Sequence, residues 1–171
     1  MKYSAPPTIL DTEDDAQLAW DAIEPIWDDL PLSPAKRLRE FLGELEPGQK
    51  ALLAIDWCQK EIRNGGHRQL FGNGTGNLVP WAIDGFRLIG AEDYAVNLHE
   101  AAVLLGPDYP VTAAARKRAI TSFQAAEVQK LENLTDAFLD LLEDEATDLE
   151  RYRGQFVRSN PEQFIQARAN P

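Results

Sequence analysis

Five of the chain's eleven glycines fall in the stretch NGGHRQLFGNGTGNL, residues 64 to 78. Glycine-rich loops of this kind can cradle phosphates with their backbone N–H groups. The spacing here does not support that chemistry. A Walker loop needs a Lys-Ser/Thr pair after its glycines, and none follows. A dinucleotide fingerprint needs G-x-G-x-x-G between a strand and a helix, whereas Gly72, Gly74 and Gly76 give G-x-G-x-G after a helix. The stretch is expected to be a tight helix-to-helix connection, its glycines supplying positive φ while Asn64 and Asn73 bond nearby backbone. An enzyme built on it would have to use Asn64, His67, Gln69 and Asn73.

Other reactive side chains are sparse. His67 and His99 are the only histidines, and neither belongs to a ligand-spaced pair, so no metal site is expected. Asp56 and Glu61 fall off a common helical face, and Lys60 is the natural i+4 partner of Asp56. Cys58, the one cysteine, sits in the apolar run ALLAIDWC. It rules out an internal disulfide framework and reads as a small core residue. No catalytic residue, cofactor or metal is expected.

Carboxylates carry the clearest pattern. The net charge of −11 over 171 residues argues against direct binding to nucleic acid or an anionic membrane. The charge is uneven. Residues 1–32 hold eight acids against Lys2, and residues 127–150 hold nine against Lys130, while 33–126 are near balance at ten acids to eleven bases. Residues 151–171 carry four Arg and one acid. Glu132, Asp136, Asp140 and Asp144 recur every fourth position, a slowly drifting helical stripe rising about 6 Å per step. That step is of the order of the phosphate spacing along a nucleic-acid strand, whose axial component is roughly 3.4 Å. A partner surface of Lys and Arg made for phosphates could hold these carboxylates with similar charge-assisted bonds. The residues expected to meet such a partner are Glu132, Asp136, Asp140, Glu143 and Asp144, with Asp14, Asp15, Asp28 and Asp29 as a second cluster. The competing reading is an ordinary solvated helix face.

The elements that must position these groups are all helical. DTEDDAQLAWDAIEPIWDDL starts a helix with Thr12 as N-cap and Asp15 in the capping-box position, bent or split at Pro25. PLSPAKRLREFLGEL restarts with Ser33 as N-cap and Pro34 at the first helical position. EPGQKALLAIDWCQKEIRNGG gives a third, broadly apolar and central helix, ended by Asn64-Gly65-Gly66. Two helices follow, over VPWAIDGFRLIG and AEDYAVNLHEAAVLLG. From Thr112 to about Glu145 the pattern is helical, with Ile120, Phe123, Val128, Leu131, Leu134, Phe138 and Leu141 or Leu142 inward. Thr147 and Glu150 form a capping box for a penultimate helix, and Asn160-Pro161 begins a short last one. No segment alternates with period two, and no stretch approaches the roughly 18 apolar residues of a membrane span. The expectation is one all-α domain over 1–171, a compact bundle of about seven to nine helices with residues 1–10 extended or flexible. A cytoplasmic location is expected because no apolar leader opens the chain.

With Asn64-Gly65-Gly66, Gln69, the Leu70-Phe71 pair and the Asn73-to-Gly76 run, the segment from Trp20 to Pro110 also resembles a bacterial helical family that includes DNA-mimic proteins. The resemblance rests on an N-G-G, a Gln, an apolar pair and an Asn-to-Gly run. These map onto Asn64, Gly65, Gly66, Gln69, Leu70, Phe71, Asn73 and Gly76. An I-G-A with a following Tyr-Ala maps onto Ile89, Gly90, Ala91, Tyr94 and Ala95. His67 stands where the family has an aromatic residue, and Gly74-Thr75 replace two serines. The resemblance implies an all-α fold and, for part of the family, an acidic surface that occupies a DNA-binding protein. It makes the loop a structural signature rather than a site. The expected function is a non-enzymatic binding module, monomeric or homodimeric, docking on the basic face of a regulator, nucleoid protein or nuclease. The alternatives are an immunity or antitoxin-like protein neutralising a basic nuclease, and an enzyme with its site at residues 64–78.

Overall fold

The computed structural model describes residues 2–166; Met1 and residues 167–171, Arg168 among them, lie outside it. The described residues form eight α-helices and no strand, as expected for an all-α bundle. They are α1 (Asp15–Trp27), α2 (Ala35–Gly43), α3 (Pro47–Gly72), α4 (Val79–Leu88), α5 (Glu92–Val103), α6 (Ala113–Thr121), α7 (Ala125–Glu143) and α8 (Leu149–Ser159). Short 3-10 turns precede α1, join α3 to α4, and flank α8.

The central helix is α3, which packs against α1, α4, α6 and α7. Its run Leu52-Leu53-Ala54-Ile55 and Cys58 are fully buried, so apolar residues on nearly every side of this helix find partners. Burial pushes the Cys58 thiol well up, which removes the thiolate needed for nucleophilic or metal chemistry. On the α1 side, Trp27 stacks on Trp57 with ring centroids 4.4 Å apart. Lys60 covers Trp27 at 4.1 Å and pairs with Asp56 at 2.7 Å, the i+4 partnership expected from spacing. Residues 2–11 are tied down: the Ala5 N–H donates to the Phe164 carbonyl at 2.9 Å, the Tyr3 hydroxyl donates to Asp29 at 2.8 Å, and Ile9 is buried.

Several boundaries differ from the sequence reading, each for a local reason. Helix α1 is capped by Asp14, whose carboxylate accepts from the Gln17 N–H at 2.9 Å, rather than by Thr12. Pro25 does not split it, because Pro25 lies in its last turn. Helix α2 starts after Pro34, which is its N-cap in place of Ser33. Asp148, not Thr147, caps α8, accepting from Glu150 and Arg151 N–H groups. The helical pattern from Thr112 to about Glu145 is divided between two helices, α6 and α7. It breaks at residues 122–124, where Gln124 and Glu127 form a fresh capping box for α7.

The largest correction concerns Asn64-Gly65-Gly66. These residues do not end α3; they kink it, and helical structure resumes to Gly72. Gly66 has φ of +71°, a conformation open to glycine and costly for other residues. A Cβ there would also lie 2.9 Å from the Thr135 methyl of α7. The His67 N–H, freed from the helical ladder by the kink, donates to Thr135 Oγ1 at 3.2 Å. The kink is therefore the joint at which α3 meets the acidic helix.

Candidate functional site

Helix α7 carries the acidic stripe, and its rotation is fixed by what it buries. Phe138 is fully buried and meets Tyr94 edge-on at 5.3 Å and His67 at 5.7 Å. Two side chains of α5 bind α7 carbonyls. Asn97 Nδ2 donates to Leu134 at 2.9 Å, and the Tyr94 hydroxyl lies 2.6 Å from Leu141 and 2.9 Å from Thr147 carbonyls. Tyr94→Phe should cost about 1–2 kcal/mol by removing a donor from both carbonyls, the Leu141 one keeping only the Thr147 hydroxyl at 2.8 Å. Hydrogen exchange would report it as faster exchange confined to the last turns of α7. Uniform exchange across the protein would contradict this tie.

With Phe138 inward, Glu132, Asp136, Asp140 and Glu143 point to solvent, and all four are exposed. Among the described residues none of their carboxylates has an ion pair or hydrogen-bond partner. Asp144 differs: it caps the following turn, accepting from the Ala146 N–H at 2.8 Å. The rest of the acidic block is partly committed too. Glu127 serves the capping box, Asp148 caps α8, and Glu150 pairs with Arg153 at 2.7 Å. The free carboxylates are fewer than the sequence count, and they concentrate on α7.

Every fourth residue advances about 40° around a helix, so the stripe winds across the surface. Glu132 and Asp136 border a cavity beside the α3 kink. Asp140 and Asp144 border a second, shallow groove of about 420 Å³ against α5. The far wall of that groove carries Asp93 and Glu100, which sequence reasoning missed. Their i, i+7 spacing marks one face of α5, but only the packing of α5 on α7 shows that this face adjoins the stripe. The acidic surface is thus two helices wide at its C-terminal end.

The second proposed cluster is more structural. Asp14 is the α1 cap, Asp15 is half-buried and pairs with Arg158 at 3.1 Å, and Asp29 accepts from Tyr3. Asp28 is exposed. None of these four lines either cavity bordered by α7. Arg153 and Arg158 of α8 compensate acids in both blocks; Arg153 meets Glu150 at i,i+3, whereas the Arg158–Asp15 pair is concealed by sequence separation.

The glycine-rich stretch is a lock. Glu61 accepts from Gln69 Nε2 at 2.7 Å, from Asn73 Nδ2 at 3.1 Å and from Thr75 Oγ1 at 2.9 Å. Asn73 therefore bonds a carboxylate rather than nearby backbone. Arg116, fully buried, donates to the carbonyls of Phe71 (2.8 Å), Asn73 (2.8 Å) and Pro110 (3.0 Å) and to Asn77 Oδ1 (2.9 Å). A Cβ on Gly76 would stand 2.7 Å from both Arg116 Nε and the Leu70 carbonyl. Gly76 is needed for that close approach and not for a special φ. Asn64 is exposed, so the polar groups an enzyme would need here do not converge on an open pocket. Among the described residues no three His, Cys, Asp or Glu side chains come together as a metal set.

His67 is buried, with Nδ1 3.0 Å from Thr135 Oγ1. Burial lowers its pKa from 6.5 to about 4, while Asn97 beside the ring opposes part of that shift. The folded state binds this proton less readily than the unfolded chain, so the contribution is intact above pH 6.5 and is lost as pH falls toward 4. It amounts to about 3 kcal/mol at the acid end. Urea unfolding across that window should show a steeper acid loss for the wild type than for His67→Phe. Equal pH dependence in the two would contradict a buried neutral imidazole.

Among the described residues no helix is long and apolar enough to cross a membrane. No curated protein and no solved structure matches the chain. The family described as DMP19-like protein matches residues 43–160. That span includes the loop lock, α5 and the whole of α7, the parts on which the resemblance and the acidic surface both rest. The chain belongs to the DMP19-like protein family.

Proposed function

We propose that this protein is a non-enzymatic binding module whose acidic surface takes the place of DNA on the basic face of a DNA-binding protein. One observation carries the reading: the carboxylates of α7 are uncompensated where helix physics opposes them. The 132/136, 136/140 and 140/144 pairs are like charges at i,i+4, each unfavourable by roughly 0.2–0.5 kcal/mol. Asp140 and Glu143 sit in the last turn of α7, which holds no basic residue. There the helix dipole disfavours anions by about 0.3–1 kcal/mol each. An arrangement that works against the fold is explained by a cationic partner. Membership of the DMP19-like family supports the same reading, because the helical family that residues 64–76 resemble includes DNA-mimic proteins. The inward-turned groups of residues 64–78 speak for a scaffold there rather than a catalytic site.

The test is affinity capture from the native lysate at low and high salt, with mass identification of what elutes. A DNA-binding protein retained at low salt and released at high salt is the expected result, since exposed charge pairs are screened beyond roughly 10 Å at 0.1 M. Retention only of proteins without a basic face would overturn the reading.

A further inference from the structure

The stripe begins beside a hole. Glu132 and Asp136 stand on one lip of an open cavity of about 260 Å³ whose apolar lining includes Ile120, Phe123, Val128 and Leu131. The kink glycines, Gly65 and Gly66, close one side, and Arg68 stands on the α3 lip. The kink of α3 and the break between α6 and α7 both contribute to the lining. A cavity of roughly 150 Å³ accepts a benzene ring, so this one has room for a large apolar side chain.

We propose that this cavity receives one Leu, Ile, Met or Phe side chain from a basic helix of the partner, while Arg or Lys one turn away on that helix pairs with Glu132 and Asp136. The proposal rests on the reading of α7 as a docking surface and adds what the occupant must look like. Charge complementarity selects the partner's sign and orientation: its cations face the α7 lip, away from Arg68. The apolar lining selects the residue between them. Duplex DNA offers that helix phosphates and base edges but no apolar cavity of this depth. The cavity would therefore give the protein a salt-insensitive increment of affinity that DNA lacks, and a way to discriminate among basic proteins by one side chain.

The probes are two short basic helical peptides, identical except for a central Leu in one and Ser in the other, with Arg one turn before and after. Their binding to the full-length protein is followed by fluorescence anisotropy over a salt series. The wild type should prefer the Leu peptide by roughly ten- to a hundredfold, the size expected for burying such a side chain. Both peptides should show the same salt slope. Val128→Phe, which fills the cavity from its wall, should erase the preference and keep the slope. The double variant Glu132→Gln/Asp136→Asn should flatten the slope and keep the preference. Equal binding of both peptides by the wild type, with a steep salt slope, would overturn the cavity proposal and leave the acidic docking surface standing. Salt-independent binding, or no binding by either peptide at low salt, would overturn both. The peptide pair reads the wild type alone, so the result does not depend on how Val128→Phe folds.

Discussion

Arg116→Met should lower the stability of the protein by about 3–5 kcal/mol, since four acceptors lose a charged donor at roughly 1 kcal/mol or more each, the Asn73 carbonyl alone keeping a second donor in the Gly76 N–H. The guanidinium is fully buried, and among the described residues no carboxylate pairs with it. It is held instead by the carbonyls of Phe71, Asn73 and Pro110 and by Asn77. Burial lowers its pKa, yet an arginine stays charged at any pH the fold survives. Removing it orphans the backbone at the end of α3, in the 3-10 turn that follows, and before α6. At roughly 2–4 °C per kcal/mol for a chain of this size, the melting temperature should fall by about 6–20 °C. Arg116→Lys should recover little, because one ammonium cannot reproduce the planar fork. A loss below about 1 kcal/mol in chemical denaturation would show that the loop holds itself without this residue.

The second large effect has the opposite sign in stability and concerns binding. Neutralising Glu132, Asp136, Asp140 and Glu143 to Gln, Asn, Asn and Gln should weaken partner binding by about 2–4 kcal/mol. This assumes 0.5–1 kcal/mol for each lost exposed pair, and it corresponds to roughly thirty- to nearly a thousandfold in Kd. Asp144 is left alone because it caps the turn after α7. The same substitutions relieve i,i+4 repulsion and the unfavourable dipole, so thermal stability should hold or rise by about 1 kcal/mol. An ordinary solvated face predicts the same small gain in stability with no loss of binding. Binding, and not folding, separates the two readings. Unchanged capture by a well-folded quadruple variant would end the proposal.

How much of this was legible in the sequence depended on whether the governing interaction was local. The helical class, the central position of α3 and the Asp56–Lys60 pair follow from spacing along one helix, and the structure has them. The split between α6 and α7 was missed because Phe123 keeps the apolar period through the break. Only the Gln124–Glu127 capping box signals a restart there. The Gly65-Gly66 kink was read as an end because a glycine pair after a helix usually is one. What carries the helix onward is Thr135, 68 residues away in the chain, meeting the His67 N–H. The acidic stripe was visible by its period, but which acids remain free was not. Asp14 and Glu150 are taken up by a cap and an ion pair three residues away, and Asp15 by Arg158, which sequence spacing does not reveal. Asp93 and Glu100 join the surface only through the packing of α5 on α7. The loop lock was seen as a signature without its cause, since neither Glu61 nor Arg116 belongs to the recognised motif.

The central claim is that the surface around α7 stands in for DNA, and competition by DNA itself tests it most directly. Immobilised protein is loaded from the native lysate at low salt and then washed with a short duplex at constant ionic strength. The account predicts that the duplex releases the retained partner and that the partner leaves the column bound to DNA. A partner that stays on the column through the duplex wash, or that is retained equally by the quadruple variant, would contradict it.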